Sequence, residues 1–561
     1  ILVLTAERAL HYANSLQKVG LDVLIVDEFY KIDSDDERAQ SLQLLVSRVD
    51  LFTRQRYFLA PNIKRLADDS FFTKGMSFIE KLDFSTVFLN KIDVFSSLPK
   101  GKTKKGNQSS NVDLEAKCTY LIEQILSINT KKTLIYAGSY AQIKFLSERI
   151  TSKINSPFCD NLNNLSTWIA SNYHVDWSLA QLVKKGYGWH NGRLHRALAQ
   201  IQLKLFEEIN GLRGVLCTSS VIEGVKTQAE QVVLWNKKNG RSNITSFEYK
   251  NIMGRAGRMF KYFVGDVFIM EKPPEDSNDE QLELSLDENS TLSLTIADEQ
   301  TSRTPEQIAE IIRYKEDMKG LFGGQSIEQL IRDGVFQTSD RELIKKIALD
   351  MRDDERSWNG LSNLNSDNPN EWARFIGKMV FLANGKIVRN AADRDRFFKF
   401  TCALFNHRDA ELKTLIAHWT LRNSMPIDDA IDEIFNWERK VSFNLATLAQ
   451  DIETIYNLMH PNTTVNISHF YNRASFAFLH PMIYQLEEYG LPRMISNKIH
   501  ASGSIDLKPN STAVQPIEIG SIIETFQQIG IEKICVIRSI DEFDKYIIRH
   551  FYDGISRNVS L

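Results

Sequence analysis

A chain of 561 residues exceeds what one hydrophobic core serves and predicts about three domains. Its 68 Lys and Arg against 71 Asp and Glu leave a net charge of −3, which neither advertises a nucleic-acid partner nor excludes one, since a basic groove can sit on a neutral molecule. Five scattered cysteines without CxxC spacing argue against a disulfide framework and against zinc and fit a reducing, cytoplasmic setting, and no apolar run approaches the roughly 20 residues that span a bilayer.

Residues 1 to about 95 alternate short apolar strands, expected at Ile1–Leu4, Val23–Val26, Arg56–Ala60 and Thr86–Leu89, with helices expected at Ala6–Lys18 and Glu37–Ser47. That alternation predicts a parallel sheet wrapped by helices. Ser96–Asn111, rich in Lys, Ser, Gly and Asn, reads as a linker or exposed insertion. A second α/β pattern follows, with strands at Thr133–Tyr136, Gly214–Cys217, Gln231–Leu234 and Asp266–Met270 and helices including Tyr140–Ile150 and Arg193–Ile209. Glu271 to Ser302 is acidic and polar, a connector. From residue 303 the pattern is mostly helical; Thr304-Pro305-Glu306 and Met425-Pro426-Ile427 open helices, and Ile534–Ile537 reads as a short strand. Trp358, Trp372, Trp419 and Trp437 are expected in the core of this helical part.

Several segments carry chemistry. Val23-Leu24-Ile25-Val26-Asp27-Glu28 is an apolar strand ending in two carboxylates, at the place where ligands bind parallel sheets. One carboxylate can hold Mg²⁺ and the next can orient and deprotonate a water; a solvated acidic turn gives the same pattern. In Gly254-Arg255-Ala256-Gly257-Arg258, planar guanidinium forks suit a transferring phosphoryl group and glycines let the backbone approach it, though a basic turn that binds nothing reads alike. Thr218-Ser219-Ser220 before Glu223-Gly224-Val225 offers hydroxyls and free amides to a phosphate backbone or to the nucleotide, though taken alone it reads better as an ordinary strand-to-helix turn. Gly186–Arg193 reads as a loop facing nucleic acid, though an isolated histidine such as His190 is more often structural. Leu134–Ser139 is a strand ending in small residues. Gly101-Lys102-Thr103 imitates the tail of a phosphate-cradling loop, but Ser96 stands where its first glycine is required.

The order of these segments is more specific than any one of them. Thr5–Leu10, Asp27-Glu28, Leu134–Ser139, Gly188–Arg193, Thr218–Lys226 and Asn251–Arg258 together resemble superfamily 2 helicases, best the Ski2-like branch. The chain looks like a prokaryotic member, similar to the helicase subunits of Hachiman-type anti-phage defence systems, and Glu487–Pro492 resembles the branch's helical C-terminal domains.

The resemblance implies an α/β fold of two RecA-like, doubly wound parallel-sheet domains followed by a mostly α-helical region: 1–111 the remainder of the first domain with its linker, 112–272 the second, 273–302 the acidic connector and 303–561 the helical part. It implies an ATP-dependent helicase or translocase, 3′-to-5′ on single strands. Asp27 would hold Mg²⁺, Glu28 activate water, Arg255 and Arg258 neutralise the γ-phosphate, and Gly224, Asn251 and Gly254 line the nucleotide. Thr5, Arg8, Ser139, His190, Thr218 and Ser219 would touch the strand. Implied partners are single-stranded or partly duplex nucleic acid, DNA before RNA, and an effector nuclease, with no membrane.

Departures from the family pattern are expected to matter. Leu59-Ala60-Pro61 stands in place of the coupling Ser-Ala-Thr, which favours a nucleic-acid-gated ATPase switch with little unwinding as the alternative. Asp27-Glu28-Phe29-Tyr30 lacks the usual fourth His or Asp, Asn251 replaces Gln and Lys226 replaces Asn. Family order puts the phosphate-cradling loop before residue 1; the expectation is that such a segment precedes Ile1 and that residues 1–561 alone do not hydrolyse ATP.

Overall fold

The computed structural model describes residues 2–6, 9, 12–33, 37–49, 52–60, 65–66, 76–79, 87–102, 108–128, 130–156, 159–219, 229–240, 242–257, 261–274, 281–282, 305–325, 330, 335–338, 340–383, 385–388, 390–508 and 519–556. The chain divides into two compact units: one of residues 1–82, 278–402 and 440–475, the other of 83–277, 403–439 and 476–561. The helical C-terminal half is thus shared between them.

In the first unit, strands β1 (Leu21–Val26) and β2 (Thr53–Phe58) pair in parallel, Val26 opposite Phe58. Helix α1 (Glu37–Val49) packs on one face through Leu45, Val46 and Val49 against Leu24, Val26, Phe29 and Phe52. Val23 and Ile25 point the other way and are exposed, so β1 is an alternating strand among the described residues and not the fully buried one its apolar run predicts. Leu2–Thr5 is likewise no strand; it is exposed and leads into a turn in which Ala9 N–H donates to the Thr5 carbonyl at 2.9 Å. The helix expected from Ala6 is seen at Ala13–Val19. The helical part of this unit buries Trp358 and Trp372, as expected, and the Asp451 carboxylate accepts from the N–H groups of Gln337 (2.6 Å) and Thr338 (3.1 Å).

The second unit is built on a six-stranded, all-parallel sheet of β3 (Phe88–Asp93), β4 (Thr133–Tyr136), β5 (Tyr187–His190), β6 (Gly214–Cys217), β7 (Gln231–Leu234) and β8 (Val264–Ile269). Their spatial order is β3-β8-β7-β4-β6-β5. β4 to β7 are buried at every position, which requires cover on both faces, the doubly wound RecA-like layout. Helices α2 (Tyr140–Lys153), α3 (Ser178–Lys184), α4 (Arg196–Glu207) and α5 (Ser246–Met253) come from the same α/β segment. Helices α6 (Ile427–Arg439), α7 (Pro481–Glu488) and α8 (Arg493–Ala501) belong to the C-terminal half. Trp419 and Trp437 are buried there.

Three expectations change in this unit. The strand read at Thr86–Leu89 is β3, and it pairs with β8 of this sheet. Within Ser96–Asn111, Lys100–Lys102 pairs antiparallel with Gln108–Val112, a short hairpin where no periodicity announced one. Ile534–Ile537 is no strand: Ile531–Cys535 is a helical turn that buries only Ile534, too few partners for an edge. Among the described residues no helix is long and apolar enough to cross a membrane.

Candidate functional site

All six strands of the parallel sheet stop level. Cross-strand register aligns His190, Cys217, Tyr136, Leu234, Ile269 and Asp93 in one row. The ladder runs one residue further. Thr218 N–H donates to the His190 carbonyl (3.3 Å), Ala137 to Cys217 (2.8 Å), Trp235 to Tyr136 (3.1 Å), Met270 to Leu234 (3.2 Å) and Val94 to Ile269 (3.0 Å). The expected strand-contacting residues Ser139, His190, Thr218 and Ser219 therefore meet on one carboxyl edge, the side of a parallel sheet where ligands bind.

Local geometry qualifies each of them. Ser139 caps α2, its Oγ accepting from Gln142 N–H at 3.4 Å, after Gly138 at φ +73, where a Cβ would collide with the Lys238 carbonyl. His190 is buried, and burial pushes its ring down to about 4, so it is a neutral residue at neutral pH and not a cation facing solvent. Thr218 is buried and Ser219 half-buried. Gly186–Arg193, expected as a loop, contains β5; its glycines gave no apolar alternation, and Trp189 anchors it by donating from Nε1 to Ser147 Oγ at 2.6 Å.

The Gly-Arg-Ala-Gly frame is reached through α5, which begins with a reciprocal cap: Glu248 N–H donates to Thr245 Oγ1 at 3.1 Å and Thr245 N–H to Glu248 Oε2 at 2.8 Å. Asn251 is half-buried on that helix and Gly254 is exposed just after it. Arg255 is half-buried and near enough to the end of β6 to act on Cys217, whose thiol burial pushes up to about 12 while the Arg255 charge pulls the other way. Gly257 N–H donates to the Ala229 carbonyl (2.7 Å), and Ala229 N–H to that of Arg255 (3.0 Å). Packing requires a glycine at one of the two positions of the frame. Gly257 sits at φ +82, where a Cβ would collide with Val87, and a Cβ on Gly265 would lie 2.5 Å from the Ala256 carbonyl carbon. Gly254, at φ −62, has no such need. Arg258, Gly224, Lys226 and Arg8 lie outside the described residues.

In the first unit, β1 delivers Asp27 and Glu28. Glu28 has φ +54, a left-handed conformation that costs a non-glycine residue about 1–2 kcal/mol. It is held by Phe29 N–H on the Leu59 carbonyl (2.9 Å), Lys31 N–H on the Glu28 carbonyl (3.0 Å) and stacking of Phe29 on Phe58, centroids 4.0 Å apart. Glu28 Oε2 lies 2.5 Å from Lys31 Nζ. Asp27 is exposed and accepts from Glu28 N–H at 2.9 Å. Among the described residues no three His, Cys, Asp or Glu side chains form a metal cage. A single exposed carboxylate fits Mg²⁺, which keeps waters and takes one or two carboxylates plus phosphate oxygens. Thr5 is exposed near the start of this unit.

Sequence reasoning missed two features at the sheet's carboxyl edge. Lys238–Asn239 pairs with Ser242–Asn243 in a hairpin, tied to Gly138 by Gly240 N–H at 3.0 Å; its Asn239-Gly240 pair was the available signal. Behind the edge, Arg493 is buried between two carboxylates, its Nε 2.6 Å from Glu487 Oε2 and its Nη2 on Glu438 Oε1. His195 Nε2 lies 3.6 Å from Glu438 and Nδ1 3.7 Å from Glu487. Gly490, at φ +104, lets this turn close on Gln200 of α4.

No family model matches the chain. It is similar to Anti-bacteriophage protein B of Escherichia coli (strain K12), 26% identical over 392 residues that cover 66% of this chain and 50% of that protein. The chain thus spans about half the length of this curated relative.

Proposed function

We propose that the chain is the motor part of an ATP-dependent nucleic-acid helicase or translocase that acts in defence against bacteriophage. The observation that carries the motor reading is the level carboxyl edge, which gathers Ser139, His190, Thr218 and Ser219 from the ends of three strands. The strained Glu28 after a strand supports the hydrolytic half, because such conformations persist only where the surrounding structure holds them and they cluster at active sites. The defence role rests on the relative's name.

In this reading Glu28 orients and deprotonates the attacking water, and Arg255 with Arg258 offsets charge on the transferring phosphoryl group. Asp27 would hold Mg²⁺, which supplies charge neutralisation at the phosphate oxygens. Gly224, Asn251 and Gly254 line the nucleotide, and Thr5, Arg8, Ser139, His190, Thr218 and Ser219 contact a single strand, DNA before RNA, moved 3′-to-5′. His190 contributes shape and backbone rather than charge, and Ser139 its backbone beside the helix cap.

A second reading is favoured by one observation. Leu59, where the family has a coupling hydroxyl segment, braces the Asp27-Glu28 turn through backbone alone, its N–H on the Val26 carbonyl at 2.8 Å. That suits a nucleic-acid-gated ATPase that controls a partner nuclease with little unwinding. ATP turnover by the complete protein, with and without single-stranded DNA, tests the motor reading: Glu28→Gln must abolish turnover while ATP still binds, and persistent hydrolysis would remove Glu28 from the role of base. Strand displacement separates the two readings.

A further inference from the structure

The loop Asn191–Leu194 leaves the carboxyl edge and enters α4 at His195. Asn191 Oδ1 closes the turn by accepting from the N–H groups of Arg193 (2.9 Å) and Leu194 (3.1 Å). One helix of the C-terminal half, α6, takes hold of this loop at successive residues. Arg439 donates to the Gly192 carbonyl, Asp432 pairs with Arg193, and Glu438 faces His195 at 3.6 Å. The half-exposed Arg193 guanidinium, 3.9 Å above the Tyr140 ring, is therefore engaged by Asp432 and Tyr140 within the chain. Asp428, Asp432, Phe435 and Arg439 form one stripe of α6; Phe435 lies 3.9 Å from the His195 ring and Asp428 accepts from Ser178 N–H at 2.9 Å.

Of these contacts only that of Glu438 with His195 is buried; Arg193 and Asp432 are half-exposed and Arg439 is exposed, so the pairs add little net stability and act through the alignment they impose. Their placement beside the loop is what they determine. His190 stands one residue before the loop, and its carbonyl receives Thr218 N–H, so a shift of the loop moves two of the edge residues together.

We propose that Asp432 and Arg439 are positioning residues through which α6 sets the nucleic-acid-contacting edge. The proposal rests on the reading of that edge as a strand-binding surface. Asp432→Asn, Arg439→Ala and Arg439→Lys would be compared with wild type in the complete protein. The measurements are anisotropy of a labelled single-stranded oligodeoxythymidine over a salt series, and hydrogen–deuterium exchange of residues 188–196. Asp432→Asn removes a negative charge, which by electrostatics alone tightens binding to a polyanion. Positioning demands the opposite: about tenfold weaker binding with an unchanged salt slope, as expected when contacts are misplaced and not lost. Arg439→Ala should behave likewise, and Arg439→Lys, which keeps a donor for the Gly192 carbonyl, should restore most of the affinity. Exchange over 188–196 should quicken in Asp432→Asn and Arg439→Ala but not in Asp429→Asn, whose partner is Lys144. Tighter or unaltered binding with unaltered exchange overturns the proposal. Quickened exchange in a protein whose wild type binds no oligonucleotide leaves the positioning standing and overturns the strand-binding reading instead.

Discussion

Glu28 and Lys31 are joined at 2.5 Å, so the side chain proposed to accept a proton from water already shares one oxygen with an ammonium group. The ammonium occupies lone pairs of that oxygen which an attacking water would otherwise use. Lys31→Met is expected to raise basal ATP turnover several-fold in the complete protein, and the double variant with Glu28→Gln to be as inactive as Glu28→Gln alone. A fall in turnover on removing Lys31 would show that the ammonium assists the chemistry.

The two glycines of the Gly-Arg-Ala-Gly frame should respond differently to one methyl group. Gly257→Ala forces a side chain into the left-handed region and against Val87, at a cost of about 2–4 kcal/mol. Gly254→Ala, at φ −62, should lie within about 0.5 kcal/mol of wild type. Denaturant unfolding of the two variants measures the difference, and equal losses would contradict the packing role assigned to Gly257.

His190 predicts a pH dependence. Its ring titrates near 4 in the folded chain against 6.5 unfolded, because burial disfavours the charged form. The unfolded state thus binds the extra proton between those values, and stability falls as pH drops from 6.5 to about 4, by up to about 3 kcal/mol. Above pH 6.5 the contribution is fully present. His190→Gln should flatten this slope in urea unfolding carried out between pH 7 and pH 4.5; an unchanged slope would place the acid sensitivity elsewhere.

The buried group of His195, Glu438, Glu487 and Arg493 should be costly to break and cheap to replace. Burial pushes the Glu438 carboxyl up, but Arg493 and then His195 overcome it and hold it well below the usual carboxylate range. Its contribution is therefore present above the unfolded value of 4.5 and is lost only as pH falls towards the lower folded value. Glu438→Gln should lose about 3–5 kcal/mol, whereas joint replacement of the four by apolar residues of similar volume should stay within about 2 kcal/mol of wild type. Guanidinium unfolding distinguishes the two, and similar losses would mean the ion pairs themselves carry the stability.

The central strands were legible because short, mostly apolar runs bounded by polar residues admit few other structures: Thr133–Tyr136, Gly214–Cys217 and Gln231–Leu234 are observed at the residues read from pattern. β5 was not, since Tyr187-Gly188-Trp189-His190 alternates glycine and aromatic residues and hides its burial in tertiary contacts with Ser147 and Gln202. Ile534–Ile537 failed in the opposite way, its β-branched composition overridden by helical neighbours. The residues of the candidate site were found by spacing and order. What held them was not: Arg439 reaches Gly192 across 247 positions, and no periodicity records such a pairing.

The level row that ends at His190, Cys217 and Tyr136 has a folding consequence. Of these three, only the strands that carry His190 and Cys217 are neighbours both in space and along the chain; β4, which carries Tyr136, reaches β6 past β5, so a local segment presents two of the three residues and not the third. β6 lies between β4 and β5, so any opening that frees it detaches His190 and Cys217 together from Tyr136 and the rest of the row.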